Sequence, residues 1–263
     1  MKKKIDYGVG IIIPTLNEEG NIREIINRIE GALRDMAHTI CVVDDGSKDK
    51  TIQIVEKLAK QGVPIHVLRR KKIGAGCQRG GASLAGLTWL LDYTDHGAFT
   101  EVDADGAHRP EEIINGVNYI FQLGFDVAIA SKYVYGSQVT GRGPGRRLVS
   151  RVHSLIARIL VDGGIRDYSN SFRFYSRTAG KLIVDYQPRN KSPIYLFEIL
   201  VIWICKQLTI IEIPTLYIER SKEDSKVTLL DLVKGFIGMV GIGLRYRAGM
   251  FMRLPAKFLY RDL

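Results

Sequence analysis

The feature that most constrains the fold is a repeated alternation, over the first 130 residues, of short apolar runs with helix-like segments. The runs, typical of strands buried on both faces, are residues 9–13, 39–43, 65–68, 98–102 and 127–130. Between them, apolar residues recur at intervals of three and four, as from Ile22 to Leu33. Strands joined by helices of this length predict an α/β fold with a mostly parallel sheet and helices on both faces.

Polar clusters follow three of these runs. Pro14 and Glu18 bound the segment after the first run, and Asp44 and Asp45 come directly after the second. The tripeptide Asp103-Ala104-Asp105 comes directly after the fourth. Because ligands of such sheets bind beyond the carboxyl ends of the strands, the sequence predicts one site built by three loops.

The Asp103-Ala104-Asp105 tripeptide is the strongest candidate for chemistry. Alternate residues of an extended chain point to the same side, so the two carboxylates can share a hard divalent cation that binds a diphosphate. The tripeptide by itself favours a solvated acidic turn, and it is its position directly after the fourth predicted strand that favours the cation site. The Asp44-Asp45 pair has two compatible interpretations, because a carboxylate there can bind a nucleobase N–H or shape the turn before a helix.

The charge balance indicates an anionic partner. The chain carries 38 Lys and Arg against 28 Asp and Glu, a net charge of +10. Nucleic acid is disfavoured, because the basic residues show no aromatic interleaving for base stacking. Three scattered cysteines favour a reducing compartment over a disulfide framework or a zinc site. No segment offers the roughly 20 uninterrupted apolar residues of a membrane span.

After residue 131 the pattern changes. Residues 131–147 predict a long functional loop, 148–161 and 193–206 helices, and 171–175 and 210–218 strands. We therefore expect a catalytic domain at 5–226 and an amphipathic, basic C-terminal extension at 227–263. The extension is expected to lie on an anionic membrane surface, with packing on the core or against a second subunit of a homo-oligomer as the alternatives.

The basic residues are compatible with a phosphorylated substrate. A hydroxyl that attacks as a nucleophile must lose a proton, so it needs a general base, and Glu198 is the candidate. Glu198 could equally be a structural partner for an arginine such as Arg173. A phosphate monoester is already anionic at neutral pH, so it needs cations to bind it rather than a base. Alternatively, the basic residues form only a solvated face of the protein. The candidate cations are Arg142, Arg146, Arg147, Arg151, Arg220, Lys222 and Lys226.

Taken in order, these motifs resemble the family 2 glycosyltransferases of GT-A fold. They are similar in particular to the dolichol-phosphate mannose synthase-like branch, the polyprenyl-phosphate sugar synthases. Over residues 9 to 230 the matching segments are Pro-Thr-Leu-Asn-Glu at 14–18, Val-Val-Asp-Asp-Gly-Ser at 42–47, Asp-Ala-Asp at 103–105, Ser-Lys-Tyr-Val at 131–134, Ser-Phe-Arg at 171–173, Glu198, and the loop 220–226.

The resemblance implies a role for each matching residue. The residues implied to bind the nucleotide sugar are Pro14, Glu18, Asp44, Asp45, Asp103, Ala104, Lys132 and Arg146. Those implied to act in catalysis are Asp105, Arg220 and Lys226. Asp103 and Asp105 are implied to bind the Mg²⁺ or Mn²⁺ ion. Two departures stand out. Ala107 replaces a usual Gln, so either the metal keeps an extra water or His108 takes part, and Lys132 replaces an Arg, which loses bidentate phosphate geometry.

The expected function is inverting, metal-dependent transfer of a hexose from a nucleotide sugar, of the GDP-mannose or UDP-glucose type, to a polyprenyl phosphate. The expected location is the cytoplasm, peripherally on the cytosolic face of a membrane. Transfer to a sugar hydroxyl in a surface polysaccharide and a non-catalytic nucleotide-sugar-binding module are the alternatives.

Overall fold

A central sheet and its flanking helices account for most of the chain in the computed structural model, which describes residues 7–71, 78–141, 143–161, 164–218 and 229–250, without the side chains of 144–149, 153 and 229–234. The strands are β1 Val9–Thr15, β2 His38–Asp44, β3 Ile65–Arg69, β4 Ala98–Glu101, β5 Val127–Ser131, β6 Gln138–Thr140, β7 Arg173–Ser176, β8 Ile210–Pro214 and β9 Leu216–Ile218. The helices are α1 Ile22–Ala32, α2 Thr51–Lys60, α3 Arg79–Tyr93, α4 Ile113–Phe121, α5 Pro144–Leu160, α6 Arg177–Tyr186, α7 Tyr195–Cys205 and α8 Leu229–Arg247, with a 3₁₀ turn at Pro110–Glu112.

The main sheet has seven strands in the order β3-β2-β1-β4-β7-β5-β8. All neighbouring strands are parallel except β7, which runs antiparallel to both β4 and β5. The predicted mostly parallel α/β fold is therefore confirmed. Its five predicted N-terminal strands are β1 to β5, each within a residue or two of the apolar run that predicted it.

Two sequence expectations for the second half need correction. Residues 210–218 form two strands, because β8 joins the main sheet whereas β9 pairs with β6 in a separate two-stranded ribbon. Residues 131–147 are not one long loop, since they contain β6 and the first turn of α5. The strand predicted at 171–175 is confirmed as β7, whereas helix α6 was not predicted, because its apolar pattern is too short for periodicity to distinguish.

Two apolar layers cover the sheet. On one face Ile11 and Ile13 of β1 pack with the buried isoleucines of α1 and with α4, while on the other Ile12 packs with residues of α3, α6 and α7. Successive side chains of a strand point to opposite faces of the sheet, so β1 contributes side chains to both apolar layers. Met239 and Ile242 of α8 are fully buried in the second layer, so helix α8 packs on the apolar core.

The domain division at 226/227 falls in residues 219–228, outside the described part of the chain, and stays a prediction. Among the described residues, no helix combines the length and the apolar character needed to cross a bilayer.

A close contact between α4 and β7 gives a test of the packing. A Cβ at Gly116 would lie 2.2 Å from Cδ2 of the buried Phe174, whereas a Cβ at Gly31 of α1 would meet nothing within 4 Å. We expect Gly116→Ala to lower the free energy of unfolding by about 1–3 kcal/mol through overpacking. Gly31→Ala, the control, should leave it unchanged or raise it by up to about 1 kcal/mol. Chemical denaturation measures both, and equal stability of the two variants would contradict this packing.

Candidate functional site

The strand order creates a crevice at one edge of the sheet. From β1 the chain moves outward through β2 and β3 and then returns to β4 on the other side of β1. Thr15 lies opposite Asp44, and Ile12 lies opposite Glu101, so the segments after β1, β2 and β4 emerge side by side. Such a reversal at the carboxyl ends of the strands is where open α/β sheets bind ligands.

The loops after β1 and β2 are joined by hydrogen bonds. The backbone N–H of Asn17 donates to Ser47 Oγ over 2.9 Å, and the N–H of Lys48 donates to Asn17 Oδ1 over 2.8 Å. The N–H of Glu18 donates to Thr51 Oγ1 over 2.8 Å. These bonds hold Glu18 and the half-buried Pro14 beside the second loop, so the structure brings together the residues predicted for the nucleoside.

Asp44 and Asp45 have different environments. The carboxylate of Asp44 accepts the backbone N–H groups of Gly46 and Ser47 at 3.1 Å, and Gly46 has a φ of +91°, which favours glycine. Asp44 therefore shapes the turn, as one interpretation of the sequence predicted. The Asp45 carboxylate lies 3.0 Å from Arg70 Nη1, a contact between β2 and the end of β3.

Asp103 and Asp105 lie at the same edge, beyond β4. Asp103 Oδ1 accepts hydrogen bonds from Arg79 and, at 3.4 Å, from Ser171 Oγ, while Asp105 Oδ1 accepts the N–H of Ala107 at 2.9 Å. Burial alone would raise the pKa of Asp103, but Arg79 and the other donors hold it well below its usual range. Burial and the nearby negative charge of Asp103 raise the pKa of Asp105. The two carboxylates are thus electrostatically coupled across the buried Ala104.

Sequence reasoning missed Arg79, the first residue of α3, and its partner Glu101. The Arg79 Nε donates to Glu101 Oε1 over 2.7 Å, and the hydroxyl of Tyr195 donates to the other oxygen of Glu101. A signal was present, because Glu101 precedes Asp103 and Asp105 with the same spacing of two. Glu101 is only 5% exposed, and a buried negative charge of this kind requires a cation beside it.

Gly80 explains how α3 reaches this position. A Cβ at Gly80 would lie 2.6 Å from Cγ of Tyr195, so only glycine lets the first turn of α3 pack against that ring. The backbone N–H of Gly80 also donates to the carbonyl of Lys191 over 2.8 Å. The close approach of α3 and α7 brings the guanidinium of Arg79 and the phenol of Tyr195 to the same carboxylate.

His108, the weakest of the predicted metal ligands, uses both ring nitrogens within the protein. Its Nδ1 accepts the backbone N–H of Asp103 at 3.2 Å, and its Nε2 lies 3.5 Å from Ser171 Oγ. The ring stacks on Phe172 with centroids 4.8 Å apart, and burial lowers its pKa. In this arrangement His108 supports the backbone of Asp103, and its role toward a metal stays a prediction.

The remaining donor set fits a hard divalent cation. Within the described residues there is no group of three His, Cys, Asp or Glu side chains arranged to hold a metal. The two coupled carboxylates, Asp103 and Asp105, nevertheless match the way Mg²⁺ binds, through one or two carboxylates together with substrate phosphates and water. A cation between them would also relieve their mutual repulsion.

Of the predicted phosphate-binding cations, the structure describes the side chains of Arg151, which is exposed on α5, and of Lys132. The Lys132 side chain is 6% exposed, its Nζ lies 3.4 Å from Asp167 Oδ2, and the ring of Tyr217 lies 5.0 Å away. The Asp167 carboxylate also accepts the backbone N–H of Lys132 over 3.0 Å, which fixes this lysine at the end of β5. The side chain of Arg146 lies outside the description, as do Arg142, Arg220, Lys222 and Lys226.

Glu198 has structural partners in the described chain. Fully buried on α7, it accepts hydrogen bonds from the hydroxyl of Tyr186 at 3.0 Å and from the backbone and side-chain nitrogens of Asn190 at 3.0 and 2.7 Å. Arg245 of α8 lies 3.5 Å from it. The suggested pairing with Arg173 is wrong, because that arginine donates to backbone carbonyls instead.

Comparison with known proteins defines the class of this fold and site. Residues 10–182 match the family described as Glycosyl transferase family 2, which is more than half of the chain. The protein belongs to this family and is a glycosyltransferase.

Three curated relatives are similar along most of the chain. The polyprenol monophosphomannose synthase of Mycolicibacterium smegmatis is 34% identical over 90% of this chain and 87% of its own. The dolichol-phosphate mannosyltransferase of Pyrococcus furiosus is 30% identical over 83% of this chain, which spans 59% of that relative. The undecaprenyl-phosphate mannosyltransferase of Micrococcus luteus is 27% identical over 91% of this chain and 98% of its own.

Solved structures share the fold. The glucosyl-3-phosphoglycerate synthase of Mycobacterium tuberculosis, in complex with Mn²⁺, UDP-glucose and phosphoglyceric acid, superimposes with a TM-score of 0.67 at 17% identity, over 90% of this chain and 80% of its own. The same enzyme with Mg²⁺ and UDP gives a TM-score of 0.65 at 18% identity, over 95% and 81% of the two chains. The fold is therefore GT-A, as the resemblance of the motifs predicted.

The contacts of Glu198 predict a structural role. Glu198→Gln removes the charge that three donors and Arg245 share, so we expect it to lower the free energy of unfolding by about 1–3 kcal/mol. The rate of sugar transfer by the folded variant should stay within about threefold, because the group is not a base. Denaturation and initial rates measure the two effects. Glu56→Gln is the control, because Glu56 also pairs with an arginine, Arg69, but its side chain is 46% exposed. A rate loss of about 10³-fold in a stable Glu198→Gln protein would instead identify Glu198 as a base.

Proposed function

We propose that this protein transfers a mannosyl group from a nucleotide sugar to a polyprenyl phosphate, with inversion at the anomeric carbon and dependence on a divalent cation. The observation that carries the proposal is that the loop of Asp103 and Asp105 emerges from the same edge of the sheet as the loops of Glu18 and Asp45. These last two loops carry the residues predicted to bind the nucleoside. The names of the three curated relatives, all mannose or mannosyl transferases acting on polyprenols, support the sugar and the acceptor.

The donor is proposed to bind across this rim. Pro14, Glu18, Asp44 and Asp45 would line the nucleoside side, and Asp103 and Asp105 would hold Mg²⁺ or Mn²⁺ beneath the diphosphate. When bound, the cation would neutralise charge on the departing diphosphate. The structures of the glucosyl-3-phosphoglycerate synthase with Mn²⁺ or Mg²⁺ support a cation in this fold.

A phosphate acceptor suits the side chains of the site. Glu198, the candidate base for a hydroxyl acceptor, is buried and engaged by Tyr186, Asn190 and Arg245. A phosphate monoester needs no base, because its second pKa lies near ~6 and it is anionic at neutral pH. Lys132, with Arg146, Arg220 and Lys226 as proposed partners, would place that phosphate against the anionic donor.

The proposed reaction is a single displacement. A phosphate oxygen of the lipid forms a bond to the anomeric carbon as the bond from that carbon to the donor diphosphate breaks on the opposite face. The bonding electrons leave with the nucleoside diphosphate, and no proton has to move. The protein's part is to orient the two anionic substrates and to exclude water.

A membrane surface is proposed to lie along α5 and α8. Val152, Leu155 and Ile159 of α5 recur at intervals of three and four and are 46%, 56% and 62% exposed. Ile237 and Leu244 of α8 are 64% and 59% exposed, and the two helices pack together through Gly243 and Leu160. Exposed cations flank this apolar face, namely Arg151, Arg158 and Arg247.

An apolar face with cationic edges suits an anionic lipid surface, which would also present the polyprenyl phosphate. We propose the cytosolic face of the membrane. Cys41 and Cys205 are free thiols, which supports a reducing compartment.

The metal proposal predicts the behaviour of Asp105→Asn. Removing one of the two carboxylates should lower transfer from GDP-mannose to a polyprenyl phosphate by about 10²-fold or more. Chelation should abolish the wild-type rate, and Mn²⁺ or Mg²⁺ should restore it. The exposed Asp35→Asn is the matched control. Full, metal-dependent transfer by Asp105→Asn would contradict the assignment, and transfer only from UDP-glucose would contradict the mannosyl donor.

The membrane proposal predicts the behaviour of a double variant, Leu155→Glu with Ile159→Glu. Two carboxylates on the exposed face of α5 should repel anionic lipid and abolish flotation with vesicles of phosphatidylglycerol and phosphatidylcholine. Leu123→Glu is the matched control, because Leu123 is 63% exposed and lies in the turn between α4 and β5. Unchanged flotation of the double variant would mean that this face does not bind the membrane.

A further inference from the structure

The donor rim carries more negative charge than a pair of aspartates. Glu101, Asp103 and Asp105 follow one another at alternate positions along β4 and the loop beyond it. Among the described residues, Arg79 is a cation in contact with this group, and it touches both Glu101 and Asp103. The Nδ1 atom of His108 accepts the backbone N–H of Asp103.

Arg79 is held by Glu101, whose own position is fixed by Tyr195. Glu101 Oε1 accepts from its Nε at 2.7 Å, and the hydroxyl of Tyr195 engages the other carboxylate oxygen. Ser83 Oγ lies 3.2 Å from that hydroxyl, and Gly80 gives the helix the clearance to pack there. The guanidinium, with 23% of the side chain exposed, therefore lies at the edge of the site with little freedom to move.

The charges set a balance. Among the described residues, the three carboxylates and the guanidinium of Arg79 carry a formal net charge of minus two, the amount that one divalent cation neutralises. Lys132 and Asp167 form a pair and add no formal net charge. Arg79 also occupies Asp103 Oδ1, so a cation that entered alone would meet a carboxylate already bound to a positive group.

We propose that Arg79 is a positioning residue that makes binding of the divalent cation depend on the donor diphosphate. Its charge weakens binding of a free cation to Asp103 and Asp105, and the diphosphate restores that binding by adding negative oxygen ligands. Glu101 and Tyr195 hold the guanidinium in the place where it has this effect. The proposal rests on the proposed function, because it assumes that Asp103 and Asp105 hold the cation.

The test measures Mn²⁺ binding to the full-length protein by electron paramagnetic resonance of free Mn²⁺, alone and with GDP or UDP. Without nucleotide, Arg79→Met should bind Mn²⁺ about tenfold or more tightly than the wild type, because a unit positive charge has been removed a few ångströms away. Arg79→Lys, which keeps the charge, should stay within about threefold of the wild type. The double variant Arg79→Met with Glu101→Gln restores the charge balance and should return toward the wild-type affinity.

Arg177→Met is the matched structural control. Arg177, the first residue of α6, donates to the carbonyls of Leu91, Thr94 and His96, so its loss should lower the melting temperature and leave Mn²⁺ binding unchanged. If Arg79→Met does not fold, Glu101→Gln alone carries the test, because removing a negative charge should weaken Mn²⁺ binding in the presence of GDP or UDP severalfold.

The outcomes separate the two proposals. If the wild type binds Mn²⁺ with GDP or UDP but folded Arg79→Met binds free Mn²⁺ no more tightly than the wild type, the role of Arg79 is wrong and the metal site stands. Unchanged Mn²⁺ affinity in Glu101→Gln leads to the same conclusion. If the wild type binds no Mn²⁺ with either nucleotide, the metal site itself is wrong and the role of Arg79 falls with it.

Discussion

The rest of the site depends on the hydrogen bonds that the buried guanidinium of Arg173 makes. It is 1% exposed and donates to three backbone carbonyls, those of Asn170, Leu196 and Tyr168, at 2.7 to 3.0 Å. Burial lowers its pKa, and the carbonyls repay part of that desolvation cost with charge-assisted hydrogen bonds. These hydrogen bonds connect β7 to the loop before it and to α7.

Each segment that Arg173 joins carries a residue of the site. The loop before β7 supplies Asp167 to Lys132 and Ser171 to Asp103. Helix α7 supplies Tyr195 to Glu101, and one turn further along it supplies Glu198 to the end of α8. Removing the guanidinium would take one donor from each of three buried carbonyls and would release the connection between β7, the loop before it and α7.

The sequence predicted the parts of this molecule whose physics is local. Apolar runs located β1 to β5, and the polar residues after them located the rim, because both depend on neighbours along one strand. Arg79 escaped prediction because its relation to Glu101 is made by tertiary packing: nothing local shows that Gly80 lets α3 approach Tyr195. The spacing of Glu101 before Asp103 and Asp105 was a local signal that the sequence interpretation did not use. The partner of Glu198 was also misassigned, since burial calls for a donor without specifying which one. The split of residues 210–218 between two sheets depends on the position of β6, which is only three residues long.

The contact between Glu198 and α8 has a consequence for how the molecule unfolds. Glu198 is fully buried beneath α8 and lies 3.5 Å from Arg245, while Met239 and Ile242 of the same helix are buried in the apolar layer. Detachment of α8 from the core would expose the apolar layer and remove Arg245 from the Glu198 carboxylate. Local unfolding of this helix therefore has a large free-energy cost. The C-terminal helix and the central sheet therefore belong to one cooperative unit, and backbone amides in α8 should exchange with solvent nearly as slowly as those of the core strands.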